Sequence, residues 1–163
     1  MNDLDRQLLR AKRVGVIGGN SPDAAALQAA EELGRLIAVE RYILISGGMR
    51  GVMEASARGA RAAGGLVLGI LPGKMTSEAN PFVDVSIATG LGYLRNALVV
   101  LNADVLVAVD GNYGTLSEIS YAQIFGKTVF GLNTWAVDAV TPVSSPQEAV
   151  ERIRRFFAAS RSS

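Results

Sequence analysis

The sequence predicts a three-layer α/β sandwich, with helices on both faces of a mostly parallel sheet of roughly seven strands. Three observations carry this. Short runs rich in Val, Ile and Leu alternate with longer segments of helical period along the whole chain. Those runs are apolar without strict alternation, as strands covered on both faces must be. Glycines cluster where the runs end: of the 18, ten (Gly18, Gly19, Gly47, Gly48, Gly51, Gly73, Gly90, Gly92, Gly111 and Gly114) fall in loops leaving the carboxyl ends of strands.

The strands are expected at 13–17, 42–46, 66–71, 83–88, 105–109, 128–132 and 139–143, each bounded by turn residues. The first helix is expected over 23–40, where Leu27, Ala30, Leu33 and Ile37 share a face. Further helices are expected over 51–63, 91–102, 115–125 and 146–159. The last is marked by "SSPQE", with Ser145 as N-cap, Pro146 in the first turn and Glu148 closing a capping box. Its arginines in "ERIRRFF" form a wet face, with Ile153 and Phe156 inward. This order of elements is that of a Rossmann-like fold. It reads as a single domain over 1–163, with 1–12 and 159–163 expected to fray, and with no repeat or linker.

At 163 residues the chain can bury a sizeable core. Its hydrophobic content of 49% and mean hydropathy of +0.27 exceed what one core needs. The surplus points to a homodimer or homotetramer, with helices 91–102 and 115–125 at the contact. A net charge of +1 and no basic block argue against nucleic acid as a partner. Residues 1–13 lack the apolar stretch of a signal peptide, and Asn102 and Asp104 interrupt the longest apolar run. The expectation is therefore a cytoplasmic protein with no membrane partner. The chain has no Cys and no His. No disulfide, thiolate nucleophile, imidazole base or metal site is expected, and acid–base chemistry falls to Asp, Glu, Lys or Tyr.

The stretch "VDGNYGTLSE" (109–118) ends a strand in a loop nearly bare of side chains, with an acid one turn later. Backbone N–H groups in such a loop can approach an anion, and the helix start behind it favours negative charge. In open α/β sheets the carboxyl edge is where ligands bind. The alternative is a plain turn followed by a capping box, with Thr115 as N-cap and Glu118 three residues on. Two phosphate-binding templates do not fit. "GVIGGNSPD" lacks the G-x-G-x-x-G spacing, and "ISGG" closes the second strand without an acid for a ribose. In "GILPGKMT" only three residues separate Gly69 from Gly73, and Met75 stands where a magnesium-binding Ser or Thr belongs. Lys74 is then a solvated loop lysine or a peripheral phosphate contact.

Three segments do match a known pattern. "SGGMRGVMEASARGA" (46–60) resembles the G-G-G-x-x-G-[LV]-M-x-x-A segment of the Lonely Guy-like family, also labelled "lysine decarboxylase-like". "LRNALVVLNADVLVAVDGNYGTLSE" (94–118) lines up without gaps on that family's R-K…P-G-G-x-G-T-x-x-E stretch, and the opening "GVIGGN" agrees. The short length, "LRN" and "GTLSEI" are most similar to the molybdenum cofactor carrier protein branch. That resemblance implies a Rossmann-like oligomer binding a phosphorylated pterin cofactor. The Lonely Guy branch implies hydrolysis of the N-glycosidic bond of cytokinin nucleoside 5′-monophosphates.

Under the resemblance, the phosphate loop falls on Gly111, Asn112, Tyr113, Gly114 and Thr115, the essential arginine on Arg95 and the glutamate on Glu118. Gly18, Gly19, Asn20, Gly47, Gly48 and Asn96 complete the expected ligand-binding set. Three positions depart from the pattern: Asp110 replaces a proline, Asn112 a glycine and Asn96 a lysine. Asn112 is expected to adopt a positive φ in the glycine's place. Asp110 must point away from a phosphate, bind a hydroxyl or share a cation. Arg95 at a helix start opposes the helix dipole, which suits a cation facing a ligand or braced by a carboxylate. Glu118 could assist N-glycosidic hydrolysis without any histidine, through an oxocarbenium-like transition state.

Three functions therefore stand. The first is a carrier or binding protein for a phosphorylated, nucleotide-like ligand such as molybdenum cofactor or a nucleoside monophosphate, with no cofactor needed for folding. The second is a phosphoribohydrolase using Arg95 and Glu118. The third is a non-catalytic oligomeric scaffold. Tyr93 and Tyr113 could stack on a planar heterocycle or lie at an interface. Met49 and Met53 are expected as packing, and Trp135 as core or interface.

Overall fold

The alternating apolar runs become β1 (Arg13–Gly18), β2 (Ile43–Ser46), β3 (Val67–Leu71), β4 (Val85–Ala88), β5 (Val105–Val109), β6 (Val129–Leu132) and β7 (Val140–Pro142). In this computed structural model, which describes residues 11–160, they join in one sheet in the order β4-β3-β2-β1-β5-β6-β7. Every neighbouring pair is parallel. The expectation that 1–12 and 159–163 fray lies largely outside the described residues.

Five α-helices among those residues cover the sheet: α1 (Ala24–Val39), α2 (Val52–Ala62), α3 (Asn96–Asn102), α4 (Tyr113–Ile124) and α5 (Pro146–Ala159). β5 shows why its sequence does not alternate. Val105, Val107 and Val109 enter the core shared with α1, α2 and α5, while Leu106 and Ala108 enter the core shared with α3 and α4. All five residues are buried, so both faces of the pleat demand apolar side chains.

α1 starts at Asp23, whose Oδ1 accepts a hydrogen bond from the Ala26 N–H at 2.8 Å. It buries Ala30, Leu33 and Ile37. Its interior Gly34 is there for space: a Cβ would come within 2.7 Å of the Ser56 carbonyl carbon on α2. Gly59 on α2 is matched to it, since a Cβ there would lie 2.8 Å from the Glu31 carbonyl carbon. The two helices thus touch backbone to backbone, which outweighs the low helix propensity of glycine.

α5 is capped by Ser145, whose Oγ accepts from Glu148 N–H at 3.1 Å. Glu148 reaches back one residue further than a capping box requires, accepting from the Ser144 N–H at 2.8 Å. Ile153 is buried as expected, but Phe157 is the aromatic that enters the core and Phe156 is half-buried against it. Arg152, Arg154 and Arg155 pair with Glu148, Glu40 and Glu151 on the exposed side.

The single helix expected over 91–102 is corrected by the structure. Gly92–Arg95 forms a 3₁₀ turn, and only Asn96–Asn102 is α-helical. Gly90 and Gly92 take φ of +66° and +56°, and Gly92 N–H bonds the Pro72 carbonyl at 2.9 Å, so the chain bends before the helix can start.

The chain leaves β1 towards β2 on one side of the sheet and leaves β5 towards β6 on the other. The loops after adjacent β1 and β5 therefore part, opening a crevice above their carboxyl ends. No helix among the described residues is long and apolar enough to cross a membrane.

Candidate functional site

Three loops meet over that crevice. The first, after β1, has Gly18 packed so closely that a Cβ would lie 2.8 Å from the Val52 Cβ. The Gly19 carbonyl accepts from Val52 N–H at 3.0 Å, tying this loop to the start of α2. The second loop, after β2, carries Gly48 and Gly51 at φ of +70° and +68°. Buried Asn80 pins it, donating from Nδ2 to the Met49 carbonyl at 2.8 Å and from its backbone N–H to the Gly48 carbonyl at 2.9 Å.

The third loop, after β5, differs from expectation. The left-handed residues are Asp110 (φ +52°) and Gly111 (φ +118°), whereas Asn112 has φ of −116°. Because the chain reverses at Asp110 and Gly111, the helix starts earlier than expected. Asn112, not Thr115, is the N-cap, and its Oδ1 accepts from Gly114 N–H at 3.3 Å. The capping box of Thr115 and Glu118 is not formed. Asp110 turns its carboxylate towards Gly19, where a Cβ would meet Oδ2 at 2.8 Å. Its carbonyl accepts from Thr134 Oγ1 at 2.6 Å. Trp135 packs against the core and donates from Nε1 to the Asn112 carbonyl at 3.1 Å, bracing the same loop.

Between these loops lies a cleft of about 750 Å³. Of the residues expected from the sequence, Gly18, Asn20, Arg95, Asn96, Asn112, Tyr113, Gly114, Thr115 and Glu118 line it. Gly19, Gly47, Gly48 and Gly111 do not line it; Gly47 and Gly111 back the lining residues Arg95 and Thr115. Met49 and Met53, expected as packing, face the cleft beside Arg50, Pro72 and Ser117. Lys74 is exposed and outside the lining. Tyr93 and Tyr113 stand at the mouth, 82% and 81% exposed.

Arg95 is only 8% exposed. Its Nη1 donates to Asn96 Oδ1 and its Nη2 to the Gly47 carbonyl at 3.4 Å. Gly47 is required there, since a Cβ would press on the guanidinium, 2.8 Å from Cζ. Asn96 in turn donates to Ser117 Oγ at 2.9 Å and to the Gly114 carbonyl at 3.4 Å, joining Arg95 to the first turn of α4. Two buried atoms on this wall have no hydrogen-bond partner: Arg95 Nε and Thr115 Oγ1. Thr115 is 2% exposed, and buried polar atoms normally find partners.

Glu118 lies one turn below, 7% exposed. Burial pushes its carboxyl up to about 8, opposed by the Arg95 charge. Burial lowers the Arg95 pKa, with Glu118 and Tyr93 acting against it. Near neutrality the wall therefore presents a charged guanidinium and a largely protonated carboxyl. Sequence reasoning missed Arg50, a second cationic side chain on the cleft. Its place between the glycines of "GGMRG", in the loop leaving β2, was the available signal.

An all-parallel Rossmann-like sheet, with Arg95, Glu118 and a glycine-bearing helix start gathered at its carboxyl edge, defines a protein of the Lonely Guy-like class. The chain belongs to the SLOG cluster4 family, whose model matches residues 11–158. It is 43% identical over 143 residues to an uncharacterised protein of Archaeoglobus fulgidus, covering 87% of this chain and 94% of that one. The molybdenum cofactor binding protein of Rippkaea orientalis superimposes with a TM-score of 0.86 at 36% identity, covering 91% of this chain and 99% of the other. A rice protein described as a probable cytokinin riboside 5′-monophosphate phosphoribohydrolase is 32% identical over 124 residues. That match covers 71% of this chain and 55% of the rice protein, so the chain spans about half the length of that relative.

Proposed function

We propose that the cleft binds a phosphorylated ligand with a planar head group, and that the protein is a binding or carrier protein for molybdenum cofactor or a related nucleotide-like molecule. One observation carries this reading: Arg95 Nε and Thr115 Oγ1 are buried without partners on the wall beside the start of α4. A phosphoryl group in the cleft would meet the Arg95 guanidinium and the N–H groups of the first turn, and a small shift of the Arg95 and Thr115 side chains would give the two buried atoms an acceptor. Tyr93, Tyr113, Met49 and Met53 offer flat and soft apolar surface to a heterocycle. The likeness to the Rippkaea orientalis protein supports the cofactor-carrier form of the reading.

The buried Glu118 beside Arg95 favours a second reading, a nucleoside 5′-monophosphate phosphoribohydrolase, as the rice relative is described. There the ionised carboxylate would draw a proton from water attacking the anomeric carbon. The N-glycosidic bond breaks, the base leaves with its electron pair and a proton, and ribose 5-phosphate remains. Because Glu118 must be charged for this, hydrolysis would gain rate as pH rises towards 8.

Incubation with a panel of nucleoside 5′-monophosphates, read for released base and for thermal stabilisation, tests both. Stabilisation without turnover is the expected result; turnover makes the protein an enzyme, and neither response leaves an oligomeric scaffold or a ligand outside the panel. For assembly, Leu94, Leu101, Ile124 and Phe125 are exposed on the segments carrying α3 and α4 and support a homodimer or homotetramer. Sedimentation equilibrium showing only monomer at micromolar concentration would remove that part.

A further inference from the structure

We infer that Glu118 is the proton-carrying group of the site, so that an anionic ligand binds Arg95 together with uptake of a proton by the Glu118 carboxyl. This rests on the reading that the cleft binds a phosphorylated ligand and adds how that binding is controlled.

The geometry sets up a competition for one cation. Both bonded acceptors of the Arg95 guanidinium, the Gly47 carbonyl and Asn96 Oδ1, are neutral. Its Nε is buried without a partner, and the residue lines the cleft. Glu118 acts on Arg95 by charge alone and forms no ion pair with it. With Glu118 ionised, the buried pair is neutral overall, and a ligand anion entering beside it meets a second negative charge in a low-dielectric wall. With Glu118 protonated, the guanidinium charge is uncompensated and the ligand anion completes the pair. The bound anion must therefore favour the protonated carboxyl, by the reciprocity of linked equilibria.

Other ionisable groups on the cleft leave this role to Glu118. Arg50, from the β2 loop, is the other cationic side chain on the cleft. Tyr93 and Tyr113 stand at the mouth, 82% and 81% exposed, so their hydroxyls lie in water rather than in the buried wall. Asp110 turns towards Gly19, away from the lining, and the chain has no histidine or cysteine to titrate in between.

Calorimetry with adenosine 5′-monophosphate from pH 7 to 9.5 reads the effect, since its phosphate, with a second pKa of about 6, stays dianionic over that range. The dissociation constant of the parent is expected to rise as pH passes about 8, by up to about tenfold per pH unit. Binding heats measured in buffers of different ionisation enthalpy should show proton uptake at the same pH. In Glu118→Gln the affinity should no longer change with pH and no proton should be taken up. Pre-existing binding with a pH-independent constant and no proton uptake in the parent overturns the inference while leaving the phosphate site standing. A pH slope that persists in Glu118→Gln places the proton on another group and overturns it as well. If neither adenosine 5′-monophosphate nor inorganic sulfate binds at any pH, the site reading fails and the inference falls with it.

Discussion

Arg95→Ala is expected to lower affinity for a phosphorylated ligand by roughly a hundredfold or more, while the protein still folds. The size follows from removing a buried, charge-assisted contact, which typically costs 2–5 kcal/mol in binding (about 30-fold to several thousandfold). Folding survives because the bonded partners of the guanidinium are neutral, a backbone carbonyl and an amide oxygen, and no ion pair is broken. The Gly47 carbonyl and Asn96 Oδ1 then gain access to water through the cleft, which limits the cost of leaving them unpaired. Arg95→Lys should lie between parent and alanine: it restores the charge but cannot span Gly47 and Asn96 with one planar fork. Isothermal titration with the nucleoside monophosphate that best stabilises the parent measures all three. An Arg95→Ala protein that binds as tightly as the parent would show that the anion sits elsewhere.

The second large effect is on stability and is read without ligand. Glu118 holds its proton to about pH 8 in the folded protein, against an ordinary value of 4.5. Between those values the folded state binds a proton that the unfolded chain has released. Stability due to this group is therefore complete below the ordinary value and is lost as pH rises through about 8. The slope can reach about 1.4 kcal/mol per pH unit, and over the whole interval it amounts to several kcal/mol. Glu118→Gln carries a neutral side chain of the same length and should flatten the dependence. Urea unfolding midpoints of parent and variant at half-unit steps from pH 5 to 9 give the difference curve directly. That difference also cancels the carboxylates of opposite sign: Glu31, Glu32 and Glu148 are held below their ordinary values by Arg58, Arg35 and Ser144. Parallel curves for the two proteins would mean that Glu118 is ionised in the fold at neutral pH.

The two results bear on the proposed functions differently. A carrier needs Arg95 available and Glu118 protonated, which is the state the folded protein favours near neutrality. A hydrolase needs the opposite state of Glu118, so its activity and its ligand affinity would move in opposite directions with pH.

By itself the sequence determined the architecture. Seven apolar runs separated by helical periods produced seven parallel strands, because a strand such as VLVAV, buried on both faces, can be satisfied only inside an α/β sandwich. It also pointed to the carboxyl edge and to Arg95, Asn112–Thr115 and Glu118, which the structure gathers around one cleft there, since glycine at strand ends and a matching motif are local signals. Tertiary structure alone decided the rest. Local pattern placed the N-cap at Thr115, but Asp110 and Gly111 reverse the chain sooner and are held so by Thr134 and Trp135, which come from the loop after β6, next to β5 in the sheet. Thr115 thereby loses its capping role and keeps a buried hydroxyl without a partner, and Glu118 moves from a helix end into the wall of the cleft. Gly34 and Gly59 look like weak points in their helices until α1 and α2 are brought into backbone contact. Arg50, Met49 and Met53 became cleft residues only when the β2 loop was folded over the end of β1. In each case the deciding contact joins residues far apart in the chain, and neither period nor propensity carries information about such a contact.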